Sequence, residues 1–178
     1  MTSQAAEGRY DEEPVRTEGD FGWQLGVLLS TYHGVIAPLL GDLPHAMRGY
    51  QILSTVAHGD QPTQSALAAY LGIDRTVMTY LIDDLVQAGL VERRQSPTDR
   101  RARKIVVTPA GAKTLAELER LVSSAEDTLL GALDPAQRQV FRDLLRTVAC
   151  GARRIEPQAD PCVAAEHVLS DAAPSRRR

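Results

Sequence analysis

Six cations fall between Val91 and Lys104 (Arg93, Arg94, Arg100, Arg101, Arg103 and Lys104), opposed by Glu92 and Asp99. This stretch carries +4 within a chain whose net charge is −3. Guanidinium groups crowded this closely repel one another unless a polyanion offsets them. A basic patch on an acidic body is the footprint of phosphate neutralisation, which is how nucleic acid is held. The chemistry on offer is therefore binding rather than bond making. The chain has no Gly-rich phosphate loop, no nucleophile paired with a base and no clustered carboxylate pair, so an enzyme is not expected. His33, His45, His58 and His167 are scattered, and no two stand at metal-ligand spacing within one helix. Cys150 and Cys162 make neither a disulfide framework nor a metal site. No metal or other cofactor is expected. Cys150 lies in an apolar helical stretch and reads as a small buried hydrophobe. Cys162 follows Asp160-Pro161 at a helix start, where thiol pKa is depressed, and is the better candidate for redox sensing.

The elements that must position the basic patch lie directly upstream. Gln61-Pro62-Thr63 opens a short helix from Gln64 to Leu71, with Thr63 as its N-cap. Gly72 supplies the backbone freedom for a turn, and Asp74 caps a longer helix that Gly89 ends. In that second helix Val77, Leu81 and Leu85 recur every four residues and are expected inward, leaving Arg75, Thr76, Thr79, Tyr80 and Asp83 exposed. Leu90–Gln95 and Arg103–Thr108 read as strands around the turn residues Ser96-Pro97-Thr98-Asp99. One of Arg93 and Arg94 is expected to be structural, pairing with Asp83 or Glu92. Helix, turn, helix and basic hairpin in this order form a helix-turn-helix with a β-ribbon attached, and such units place their second helix in the DNA major groove.

The flanks are helical. Asp20 caps a helix running to about Leu40, with Phe21, Leu25, Leu28, Tyr32, Val35 and Leu39 on one face and the small residues Gly22, Gly26 and Ser30 on another. Gly41–Pro44 breaks it, and Met47 to about His58 forms the next, with Met47, Tyr50, Ile52, Leu53 and Val56 inward. Thr108-Pro109-Ala110-Gly111 starts a long helix with Leu115, Leu118, Leu121 or Val122, Ala125 and Leu129 inward. Asp134-Pro135 starts another, to about Ala152, carrying Val140, Phe141, Leu144, Leu145 and Val148. A last short helix from Asp160-Pro161 to Leu169 precedes a basic end. The apolar fraction of 43% supports a core, and aromatics at 4% leave it to aliphatic packing. Without a signal peptide or a membrane-length apolar run, the expected location is the cytoplasm.

Asp99-Arg100-Arg101-Ala102-Arg103-Lys104-Ile105-Val106-Val107-Thr108, closed by Pro109-Ala110-Gly111, resembles the wing signature of the MarR family of multiple antibiotic resistance regulators. That signature is Asp-x-Arg, three residues, an aliphatic-x-aliphatic-Thr strand and a Gly after the turn. Ile105 and Val107 stand where Val and Leu are common, which keeps the strand face apolar. The order of helices around it matches as well, so the resemblance spans roughly Phe21 to Gly151.

The resemblance implies a mainly α fold with a small β-hairpin wing, a winged helix-turn-helix plus a helical dimerisation lobe. Its expected divisions are an acidic disordered tail (1–19), a dimerisation lobe (20–45 and 110–170), a DNA-binding domain (46–109) and a basic tail (171–178). It implies a homodimeric regulator, expected to be a ligand-responsive repressor, on an inverted-repeat operator in double-stranded DNA, with helix 74–88 in the major groove and wing 91–107 in the minor groove. Arg75, Thr76, Thr79 and Tyr80 would face bases or the thymine methyl. Arg94, Arg100 and Arg103 would also bind the DNA, and Arg101 would enter the minor groove with Asp99 bracing the wing or that arginine. The family's effector pocket would fall near Tyr32, His33, Met47, Arg48 and Tyr50, where an arginine among aromatics can hold an aromatic carboxylate or a phenol; these residues also read as plain core and surface charge. Peroxide-sensing members carry their cysteine in the first helix, and this chain has none there. The alternatives are a thiol-sensing regulator acting through Cys162 and a winged-helix interaction module that does not bind DNA.

Overall fold

The computed structural model describes residues 20–59, 62–95 and 103–156. Among these residues, six α-helices and one hairpin follow the expected order: α1 (Phe21–Ile36), α2 (Ala46–His58), α3 (Gln64–Leu71), α4 (Arg75–Gln87), β1 (Val91–Gln95), β2 (Arg103–Val107), α5 (Pro109–Leu129) and α6 (Pro135–Ile155). The wing turn, the 157–178 end with its expected short helix, and the 1–19 tail lie outside the described residues.

Cap chemistry sets most of these boundaries. Asp20 accepts from the Trp23 N–H at 3.1 Å, and Thr63 accepts from Ala66 at 3.2 Å. Thr108 accepts from Gly111 at 3.0 Å. Asp134 and Gln137 cap each other's backbone reciprocally, at 2.9 Å each way. Gly72, at φ 71°, adopts the left-handed conformation that the helix-turn-helix bend requires. α1 ends earlier than its apolar pattern implied. Pro38 has no N–H to continue the ladder, and Ala37–Leu40 tightens into a 3-10 turn. The chain then enters α2 through two left-handed residues, His45 and Ala46.

The main core lies inside the winged helix. Ile52, Leu53 and Val56 of α2, Leu67 and Leu71 of α3, Met78, Leu81, Ile82 and Leu85 of α4, Val91 and Ile105 of the hairpin and Leu115 of α5 form one buried cluster. Burial of each such aliphatic side chain stabilises the fold by about 1.5–3 kcal/mol. The expected inward position of Val77 needs correction: it is 38% exposed, whereas Met78 is fully buried. The buried stripe of α4 is 78, 81, 82 and 85, the i, i+3, i+4, i+7 pattern of a helical face, and Val77 falls beside it.

β1 and β2 pair antiparallel from Val91 opposite Val107 to Gln95 opposite Arg103. The outer edge of β2 is held as well: the Ile105 N–H donates to the Pro62 carbonyl at 3.0 Å, and Thr63 bridges Lys104. At the hairpin base, a Cβ on Gly111 would stand 1.9 Å from the Leu90 carbonyl oxygen, so only glycine lets α5 begin this close to β1.

A second, smaller cluster joins Ile36, Leu40 and Val122, with Tyr32, Leu39, Met47, Tyr50 and Leu118 against it. Of the two candidates at this point of α5, Val122 is the buried one and Leu121 is half-buried. The apolar faces expected on α1 and α6 exist but are largely uncovered among the described residues. Phe21 is 68% exposed and Leu144 61%, and α6 buries no residue along its length. The start of α6 is tied to the end of α5 by polar contacts. Arg138 donates to the Leu130 and Leu133 carbonyls, and Arg142 pairs with Asp127 at 3.0 Å.

Candidate nucleic-acid interface

With its buried stripe fixed, α4 turns Arg75, Thr76, Thr79, Tyr80 and Asp83 outward, and all five are exposed. Asp74 holds the N-terminus of this helix by accepting from the Thr76 and Val77 N–H groups at 2.7 and 3.2 Å. Those bonds, first Val77 and then Thr76, draw its carboxyl below the usual range, so the cap stays ionised and meets the positive end of the helix.

The two wing arginines behave differently. Arg93 reaches back to Asp83 on α4 at 2.6 Å and also donates to Gln64 Oε1 on α3 at 3.3 Å. Arg94 stays on the strand surface, bonded to Glu92 at 2.6 Å and more exposed than Arg93. Arg93 thus ties the wing to both helices of the helix-turn-helix. Arg103, at the far end of β2, is exposed. Asp99, Arg100 and Arg101 lie outside the described residues. Among the described positions, the structure brings Arg75, Thr76, Thr79 and Tyr80 of one helix and Arg94 and Arg103 of the adjoining ribbon onto the exposed surface of a single winged unit.

The residues named for an effector pocket divide. Tyr32, Met47 and Tyr50 pack on the smaller core cluster, and His33 meets the Tyr32 ring edge-on at 6.4 Å between centroids. Arg48 is half-buried on α2. Burial, then the Glu126 carboxylate, pushes the Tyr32 phenol up to about 12. Tyr50 is raised for the same reasons, by burial first and then by Glu119 and Glu126. Two cavities lie nearby. An apolar groove of about 450 Å³ between α1, α5 and α6 is lined by Leu25, Leu28, Tyr32, Leu129, Phe141 and Leu145. A more polar one of about 470 Å³ lies where the 39–44 turn meets α5, among Leu39, Asp42, Pro44, Leu90, Thr114 and Leu118.

Some contacts have no signal in the local sequence. His45 Nε2 meets Asp84 at 2.7 Å, joining the entrance of α2 to the back of α4, and His58 Nε2 meets Glu119 of α5 at 2.6 Å. Arg153 stacks over the Tyr70 ring at 4.7 Å and donates to its carbonyl, joining the end of α6 to α3. Cys150, expected to be buried, is exposed, because α6 has no covering layer among the described residues. Cys162 lies outside the described residues. No group of three or more His, Cys, Asp or Glu among the described residues could hold a metal ion, and no helix among them is long and apolar enough to cross a membrane.

A model of the MarR family matches residues 47–102, the helix-turn-helix and wing up to the motif arginine. A protein of Mycobacterium bovis, itself uncharacterized, is 30% identical over 76% of this chain and 92% of its own length. The chain belongs to the MarR family. A protein described as a transcriptional regulator for the hcr operon of Thauera aromatica is 33% identical over 54% of this chain. The chain spans 58% of that relative's length. Among solved structures, the repressor CouR bound to a 23-mer DNA duplex is 28% identical, with a TM-score of 0.60 over 72% of this chain and 92% of that one. CouR from Rhodococcus jostii RHA1 bound to p-coumaroyl-CoA matches with 25% identity and a TM-score of 0.64 over 74% and 92%. The fold and the family are those of winged-helix transcriptional regulators rather than enzymes.

Proposed function

We propose that this chain is a homodimeric, ligand-responsive repressor that acts in the cytoplasm on an inverted-repeat operator. The carrying observation is α4: its apolar stripe is locked in the core while Arg75, Thr76, Thr79 and Tyr80 stand exposed beside the basic ribbon. Helix 74–88 enters the major groove, where these side chains reach base edges, and wing 91–107 lies in the adjacent minor groove. Arg94, Arg100 and Arg103 neutralise phosphate. Arg101 enters the minor groove, braced by Asp99, where a narrow groove deepens the negative potential. The uncovered apolar faces of α1 and α6 support the dimer, with 20–45 and 110–170 forming its lobe around the 46–109 DNA-binding domain.

The effector is an aromatic or phenolic compound held near Tyr32, His33, Met47, Arg48 and Tyr50, and it favours the geometry that cannot bind DNA. This reading draws on the family resemblance and on CouR, whose structure holds p-coumaroyl-CoA. Release requires that the ligand bind the DNA-incompetent form more tightly.

The test is a fluorescence-anisotropy titration against the DNA upstream of the chain's own gene, beside a scrambled duplex, at several salt concentrations. Tight binding to the upstream duplex alone with a steep salt slope is expected. Arg103→Ala should reduce that slope by about 1 and weaken all sequences alike. Absence of binding to either duplex at low salt would replace the repressor with an interaction module.

A further inference from the structure

On the exposed face of α4, the Thr79 hydroxyl is already engaged both as a donor and as an acceptor. It donates to the Arg75 carbonyl one turn back at 2.9 Å and accepts from Gln64 Nε2 at 2.7 Å. The orientation of the Gln64 amide follows from chemistry: Arg93 can only donate, so the oxygen of Gln64 faces Arg93 and its NH₂ group faces Thr79. The relay therefore runs one way, from the Arg93 guanidinium through Gln64 to the Thr79 hydroxyl and into the α4 backbone. Asp83 holds the other arm of Arg93 at 2.6 Å. Hydrogen bonds in such a chain polarise one another, and each link orients the next.

The consequence is a division of labour within one side chain. With its only proton committed to Arg75, the Thr79 hydroxyl has none for the acceptors on a base edge. The methyl group has no such commitment. We infer that Thr79 reads its base through the methyl, by apolar contact with the 5-methyl of a thymine in each operator half-site, and that Gln64, held by Arg93, is the positioning residue that keeps the hydroxyl turned away. Threonine and thymine methyl groups are a known apolar pair in major-groove readout. The inference rests on the DNA-binding reading proposed above.

The probe that isolates this contact is deoxyuridine, which removes the thymine 5-methyl and leaves the base-pair hydrogen bonds unchanged. An operator duplex is obtained by selection from random DNA with the full-length protein. Each thymine is then replaced in turn, and affinity is measured by anisotropy. Deoxyuridine at the contacted thymine of a single half-site should weaken the native protein about fourfold, the value of one buried methyl group. Thr79→Val keeps the methyl group and should keep that penalty. Thr79→Ser keeps the hydroxyl and should lose it, binding both duplexes alike. Gln64→Ala should shrink the penalty at that thymine without altering the salt slope, since a neutral side chain holds no counterion. A penalty that persists in Thr79→Ser, or vanishes in Thr79→Val, overturns the methyl readout. Equal weakening by Gln64→Ala on both duplexes removes Gln64 from positioning. If selection recovers no preferred sequence, the DNA-binding reading itself fails and the inference falls with it.

Discussion

Asp74 and Tyr32 show how single side chains carry pH dependence in this fold. The Asp74 carboxyl is held below its ordinary range by the N–H groups it caps, so its contribution is present above that range and is lost as pH falls through the depressed value. Asp74→Ala should lower the melting temperature at neutral pH by about 2–4 °C. The difference from the native protein should close in acid, and pH-dependent thermal melts would reveal it; a constant offset would assign the effect to something other than the ionised cap. Tyr32 works at the other end of the scale. Unfolded, the phenol ionises near 10.0; folded, it holds its proton to about 12. Its contribution is complete below the first value and is lost as pH rises through the second. Tyr32→Phe, with no proton to lose, should show a shallower decline in stability across that window, and equal declines would mean that water reaches the hydroxyl.

At the scale of elements, the boundaries were legible wherever the signal was local. Thr63, Asp74, Thr108 and Asp134 announced helix starts because a short polar side chain caps only the N–H groups two or three residues ahead. Gly72 and the turn it makes were readable for a similar reason. What escaped was either phase or distance. Val77 and Met78 are both apolar neighbours on one helix, and the fourfold spacing to Leu81 picked the wrong member; the cap at Asp74 fixes where the helix starts, but packing from α2 and the hairpin decides which neighbour turns inward. The bond of Gln64 to Arg93 and that of His45 to Asp84 span 29 and 39 residues, and no periodicity links such positions. The wing was recognised from motif residues, four of which, Asp99 to Ala102, lie outside the described residues. Gly111 shows how tightly elements constrain one another. A methyl group at Gly111 would collide with the backbone of Leu90 rather than with a yielding side chain. Gly111→Ala should therefore cost about 3 kcal/mol or more, measured by denaturant unfolding. A small loss would mean that α5 can slide on the hairpin.

For the whole molecule, the decisive feature is the apolar surface left open on α1 and α6. Sequence periodicity identified both faces but could not say what covers them, since spacing along one chain carries no record of what lies beside it. Replacing Leu144 and Val148, both 61% exposed, with glutamate should leave the winged unit folded and abolish self-association, as read by sedimentation equilibrium. Unchanged association would move the contact to α1. The same open surface has a bearing on the life of the protein inside a cell. On the dimeric reading proposed above, a newly made chain whose 21-residue α6 buries no residue of its own offers chaperones and proteases a long greasy handle until a second chain arrives. Synthesis at a low rate then yields disproportionately little regulator, because pairing competes with degradation and only pairing rises with the square of concentration. Dosage, and not only affinity for DNA, is thereby built into how sharply such a protein can switch.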